Sequence, residues 1–160
     1  MEDIEVISII KDSIVLDIPV IPPLPKDFLK LRGAQLPNGD LLLCGGIFVG
    51  EPLPGACHKF QDWSDEYLIY MNASSQWTKV GTMKNKKFSH SSVLIEDRLH
   101  TMGGYCNSKI TSRHDQFSFG EGVKEMKEMP IPLINHTATT FGKNKMIVCG
   151  GNVSWNGDVS

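Results

Sequence analysis

Five histidines (His58, His90, His100, His114, His136), four cysteines (Cys44, Cys57, Cys106, Cys149) and three tyrosines (Tyr67, Tyr70, Tyr105) carry the metal-binding, nucleophilic and redox chemistry of this chain. Their spacing suits that chemistry poorly. No two cysteines form a CxxC pair. Cys57-His58 and Cys106 lie in segments that follow successive Gly-Gly doublets. Facing each other, they would make a disulfide in an oxidising compartment or part of a metal site, yet their spacing is not that of a zinc module. Cys44 and Cys149 each close an apolar run before a Gly-Gly and read as small buried hydrophobes. His90 and His136 recur at one place in a repeat, as structural residues do. No Lys-Ser or Lys-Thr follows a doublet, so the glycines are not phosphate loops. The expectation is a protein that is not an enzyme, with no catalytic residue, no metal and no cofactor.

The elements that would position these side chains show in the repeat itself. Gly45-Gly46, Gly103-Gly104 and Gly150-Gly151 each end an apolar stretch: residues 41–44, 99–102 and 146–149. A polar turn and a further apolar segment precede each stretch, and Asn38-Gly39 is a strong tight-hairpin signal. After the first doublet, residues 66–71 (EYLIYM) are rich in aromatic and β-branched types. Residues 72–75 are a turn cluster. Residues 76–80 (QWTKV) alternate as a half-buried strand does. Tyr70 and Trp77 are seven residues apart, and Phe119 and Met126 repeat that interval. Residues 121–129 read as a turn plus an outer strand. Each unit is therefore expected to be a four-stranded antiparallel meander in an all-β chain with little helix. Arg32 takes the place of His90 and His136.

The 160 residues suffice for one ordinary core, and the mixed composition argues against global disorder. A net charge of −2 argues against nucleic acid as a partner. The longest apolar stretch, residues 4–21, is cut by Lys11, Asp12 and Asp17, so no membrane span is expected. The acidic start does not read as a secretory signal, and the expected compartment is the cytoplasm. Sequons at Asn72, Asn135 and Asn152 keep an extracellular alternative open.

The pattern resembles the kelch repeat, most closely in YMNASSQWTKVGTMKNKKFSHSSVLIEDRLHTMGG, residues 70–104, and more loosely over residues 32–151. The resemblance implies four-stranded blades of a kelch-type β-propeller, here incomplete at about three repeats. Residues 1–31 form an N-terminal segment with a strand left from a preceding blade (residues 13–20). Residues 32–86 and 87–131 are the first and second repeats, and residues 132–160 a partial third. By that resemblance Gly45, Gly46, Tyr70, Trp77, Gly103, Gly104, Phe119, Met126, Gly150 and Gly151 are structural positions, with the aromatic residues packed between neighbouring sheets. An incomplete array exposes apolar strand surface at both ends and is expected to associate. Galactose oxidase shares the propeller architecture and binds copper through Tyr and His. A secreted, oxidase-like or carbohydrate-binding propeller is therefore the alternative, although no Cys-linked tyrosine constellation can be assembled here.

The favoured expectation is a protein–protein interaction module. The loop after the second strand and the connection to the next blade share one end of a meander. That end gathers Lys59, Asp62 and Trp63 from the first long loop and Tyr105, Lys109, Arg113 and His114 from the second. Lys84, Lys86 and Lys87 of the inter-blade run join them as exposed rim charges. A peptide or protein partner would bind there. The family resemblance alone suggests ubiquitin-ligase or cytoskeletal association.

Overall fold

Short apolar runs punctuated by Gly, Asn and Pro become extended strands with tight turns. The computed structural model describes residues 7–10, 13–16, 21–52 and 59–154. In chain order its strands are β1 (Ile7–Ile10), β2 (Ser13–Leu16), β3 (Asp27–Leu29), β4 (Arg32–Gln35), β5 (Leu41–Cys44), β6 (Ile47–Pro52), β7 (Lys59–Trp63), β8 (Glu66–Met71) and β9 (Gln76–Thr82). There follow β10 (Ser91–Ile95), β11 (Arg98–Met102), β12 (Tyr105–Cys106), β13 (Lys109–Ile110), β14 (His114–Ser118), β15 (Gly122–Glu125), β16 (Thr137–Thr140) and β17 (Met146–Cys149). The described chain is all-β, and every pairing is antiparallel.

Two four-stranded sheets, β4-β5-β8-β9 and β10-β11-β14-β15, carry the expected order, and β16-β17 forms a third sheet of two strands. The second strands end at Cys44, Met102 and Cys149, as the sequence led one to expect. The strand at residues 13–16 pairs with β1 in a hairpin of its own. One buried cluster, with Leu42, Cys44, Tyr67, Ile69, Leu99 and Phe117, lies between the first and second sheets. A smaller one, Val93, Ile95 and Met102 with Ala138 and Val148, lies between the second and third.

The joint between sheets recurs in its backbone hydrogen bonds. Gly46 N donates to Lys87 O at 2.9 Å, and Gly104 N donates to Leu133 O at 2.8 Å. A Cβ on Gly45 would stand 2.6 Å from His90 Cε1, and one on Gly103 2.6 Å from His136 Cε1. The ring entering each following sheet thus lies on the first glycine of the doublet before it, and a side chain there would collide. Past the joint, Leu29 pairs with Ile47, Phe88 with Tyr105 and Ile134 with Asn152. The residue after each first partner (Lys30, Ser89, Asn135) has positive φ.

Pairing register corrects three sequence-level equivalences. Arg32, Ser91 and Thr137 stand opposite Cys44, Met102 and Cys149, so the position of His90 and His136 falls on Leu31, not Arg32. Tyr70 faces Leu41 and Trp77, whereas Phe117 faces Leu99 and Val123. The counterparts of Tyr70 and Trp77 are therefore Phe117 and Val123, not Phe119 and Met126. The cause is a turn one residue shorter, between Ser118 and Gly122 rather than between Met71 and Gln76. Phe119 falls on that turn and is 47 % exposed, while Phe117 is buried and stacks on Tyr67 of the first sheet at 4.2 Å. Trp77 is half-buried rather than enclosed between sheets; it lies against Tyr70 at 5.3 Å and donates Nε1–H to Pro22 O at 2.9 Å.

Phe117→Ala should therefore cost about 3–5 kcal/mol in chemical denaturation, and Phe119→Ala less than about 1 kcal/mol. Equal losses would return the seven-residue interval to favour.

Candidate functional site

The segment after the first doublet is not a loop. Its described parts are the hairpin strands β6 and β7, with β3 added beside β6. The segment after the second doublet makes the smaller hairpin β12-β13, closed by Asn107 and Ser108, both at positive φ. The two hairpins meet over the linker that enters the second sheet. Trp63 rests on Phe88 and Tyr105, with ring centroids at 5.3 and 5.5 Å, and Phe88 and Tyr105 lie 5.5 Å apart. Phe88 is buried, while Trp63 and Tyr105 are half-buried and show an edge to solvent. Lys30 Nζ sits 5.4 Å from the Phe88 ring centroid, within cation–π range. Trp63 is not a loop residue: it is the last residue of β7 and part of a three-ring cluster.

Charged groups rim the cluster. Lys86 Nζ donates to Asp62 Oδ2 at 2.6 Å. That hydrogen bond from Lys86 holds the Asp62 carboxyl below its ordinary pKa. Asn107 Nδ2 donates to Asn85 Oδ1 at 3.4 Å, tying the second hairpin to the same linker. A shallow recess of about 120 Å³ opens beside Phe28, Phe48, Trp63 and Lys86. Asp62, Trp63, Lys86 and Tyr105 thus lie together. Lys59 lies on β7, Lys109 is exposed on β13, and Lys84 pairs with Glu125 at 3.3 Å. Arg113 is half-buried just before β14. Sequence reasoning passed over Phe88, whose only signal was its place beside the lysine run. Cys57 and His58 lie outside the described residues.

Lys87 is not a rim charge. Its side chain is 2 % exposed and its Nζ donates to Asp115 Oδ2 at 2.8 Å, with Asp115 itself buried. The equivalent places in neighbouring repeats are Leu68, in the register of Asp115, and Leu133, in that of Lys87. The ion pair is thus local to this joint. Cys44 Sγ lies 3.4 Å from His90 Nε2 in the same interior. Burial pushes the Cys44 thiol up to about 12 and the His90 imidazole well below its ordinary value, so both are neutral and no thiolate forms.

His114 is not a surface ligand either. His100 Nδ1 and His114 Nε2 are 2.8 Å apart, Gln116 Nε2 lies 3.2 Å from His100 Nε2, and His114 Nδ1 is 3.1 Å from Lys127 O. The Lys127 carbonyl and the Gln116 amide fix the tautomers: each ring is neutral, donating from Nδ1 and accepting at Nε2. Burial lowers both pKa values, that of His100 to about 4. Among the described residues no group of three or more His, Cys, Asp or Glu side chains could hold a metal. Nor is any described helix long and apolar enough to cross a membrane. In comparisons with known proteins, no family model and no curated protein matches the chain.

Removing one partner of the buried ion pair leaves a naked charge. Lys87→Met should therefore cost about 3–5 kcal/mol, and the double change Lys87→Met with Asp115→Leu should recover most of it in denaturation. No recovery in the double variant would show that packing of the lysine stem, not the charge, is what matters. A second expectation concerns pH. His90, His100, His114 and His136 all have folded pKa values lowered by burial. The unfolded chain thus binds more protons once pH falls below about 6.5. Stability is complete above that value and declines as pH falls toward the folded values, about 4 for His100. Denaturation midpoints should drop between pH 7 and 5; a flat profile would contradict the neutral histidine assignments.

Proposed function

We propose that the chain is part of a kelch-type β-propeller that binds a peptide or protein partner, in the cytoplasm, through the end formed by β6-β7, β12-β13 and residues 84–88. The observation that carries the architectural half is the fan of sheets. The first strands β4, β10 and β16 lie side by side, whereas the outer strands β9 and β15 barely meet. Successive sheets that are close at one strand, splayed at the other and joined by one repeated hydrogen bond are wedges of the kind that close into a propeller. The binding half rests on the ring cluster. Trp and Tyr edges over a buried Phe, rimmed by Lys86, Asp62 and Asn107, form an apolar centre with a polar border, the anatomy of a protein-recognition patch.

A photo-crosslinking residue at position 107 tests this directly. It should trap a partner that the same residue at Asn38, in a turn at the opposite end of the sheets, does not. With that partner in hand, Lys84→Ser with Lys86→Ser should slow association and flatten its salt dependence while leaving the melt unchanged. Trp63→Ala should weaken binding at least tenfold. Equal crosslinking from both ends, or unchanged kinetics, would place the interface elsewhere.

A further inference from the structure

Residues 21–26 (Ile-Pro-Pro-Leu-Pro-Lys) run along the outer edge of the first sheet before β3 begins. Proline fixes its own φ, and each residue that precedes a proline is kept out of the helical region. Ile21, Pro22 and Leu24 all precede prolines, so residues 21–24 are kept in extended or polyproline II backbone, and the chain bends at Pro25 and Lys26. No cis peptide bond interrupts it. Pro23, Pro25 and Lys26 are exposed, while Pro22 and Leu24 are half-buried. Leu24 borders a recess also lined by Phe28, Leu29 and Val49.

The segment is held at both ends. Trp77 Nε1–H donates to the Pro22 carbonyl at 2.9 Å. Lys26 Nζ pairs with Glu66 Oε1 at 3.0 Å and sits 5.5 Å from the Phe48 ring centroid. A ligand fixed in its bound conformation loses little entropy on docking.

We propose that residues 22–25, Pro-Pro-Leu-Pro, are a preformed ligand for a small partner domain whose groove of parallel aromatic rings takes polyproline II chain, of the WW type. Such a groove grips proline ridges through ring faces. An SH3-type groove adds an acidic pocket for a ligand cation. The cation adjacent here, Lys26, is already engaged by Glu66 and Phe48, which leaves recognition to the prolines and selects the uncharged groove.

The experiment titrates the full chain into an isotopically labelled WW domain that accepts Pro-Pro-Leu-Pro, and into an SH3 domain. Chemical-shift changes should map to the WW aromatic groove. Pro23→Ala with Pro25→Ala should weaken binding at least tenfold while the melting curve of the chain is retained. Trp77→Phe, which keeps a ring but loses the N–H donor, should weaken it severalfold. A free peptide of residues 20–27 should bind less tightly than the intact chain. The proposal is overturned if the double proline variant binds as well as the parent. Binding of the peptide but not the chain would show the segment to be occluded, and preference for the SH3 domain would refute the groove assignment.

Discussion

In the first two doublets the N–H of the second glycine reaches the carbonyl of a residue about to enter the next sheet, and the first glycine lies beneath that sheet's incoming ring. These two contacts set how closely one sheet follows another. They can form only where two consecutive residues accept positive φ and neither carries a Cβ. The clusters between sheets follow from that spacing: Tyr67 can stack on Phe117, and Val93 can reach Ala138, because the backbones are already drawn together. The hairpins emerge just past the joint, so their meeting over Phe88 is a consequence of the same contact.

Against this backbone frame the buried polar groups at the first joint are a local addition. Lys87 and Asp115 occupy places that carry leucine in neighbouring repeats. An ion pair enclosed in this way gains little net stability over an apolar pair, because desolvation offsets attraction. It does restrict register, since a slip of β14 or a shift of the linker that carries Lys87 would separate charges that have no water to turn to. The neutral Cys44–His90 and His100–His114 pairs have the same character. Their proton positions are set by surroundings rather than by reactivity; Cys44 and His90 are fully buried, whereas His114 is half-buried.

The strands of the two four-stranded sheets, their order and the sites of the doublets were legible in the sequence, because alternation and Gly-Gly report directly on backbone geometry. Equivalence between units was less so. A seven-residue interval between Phe119 and Met126 imitated that of Tyr70 and Trp77, but the turn after Ser118 is one residue shorter and Phe119 sits on it. Lys87 stands in a run of three surface-like lysines, and nothing local distinguishes the one that finds Asp115 across the chain. The hairpins were missed as strands because β6 gains its ladder from β3, whose partnership spans the whole of β4 and β5. Of the expected binding residues, Asp62, Trp63, Lys86 and Tyr105 come together. His114 and Lys87 do not, because burial and pairing lie outside what composition reports.

The joint's hydrogen bonds use main-chain atoms on both sides. The residues that supply them differ from unit to unit: Leu29, Phe88 and Ile134 at the bridge, and Lys30, Ser89 and Asn135 at the left-handed position that follows. Selection acting on such a joint constrains two glycines and a conformation, and leaves most side chains free to drift. A chain built this way can keep its architecture over long divergence while its sequence loses the spacing by which relatives are recognised. Its ancestry would then be traced more readily through the pattern of amide protection in hydrogen exchange than through aligned residues.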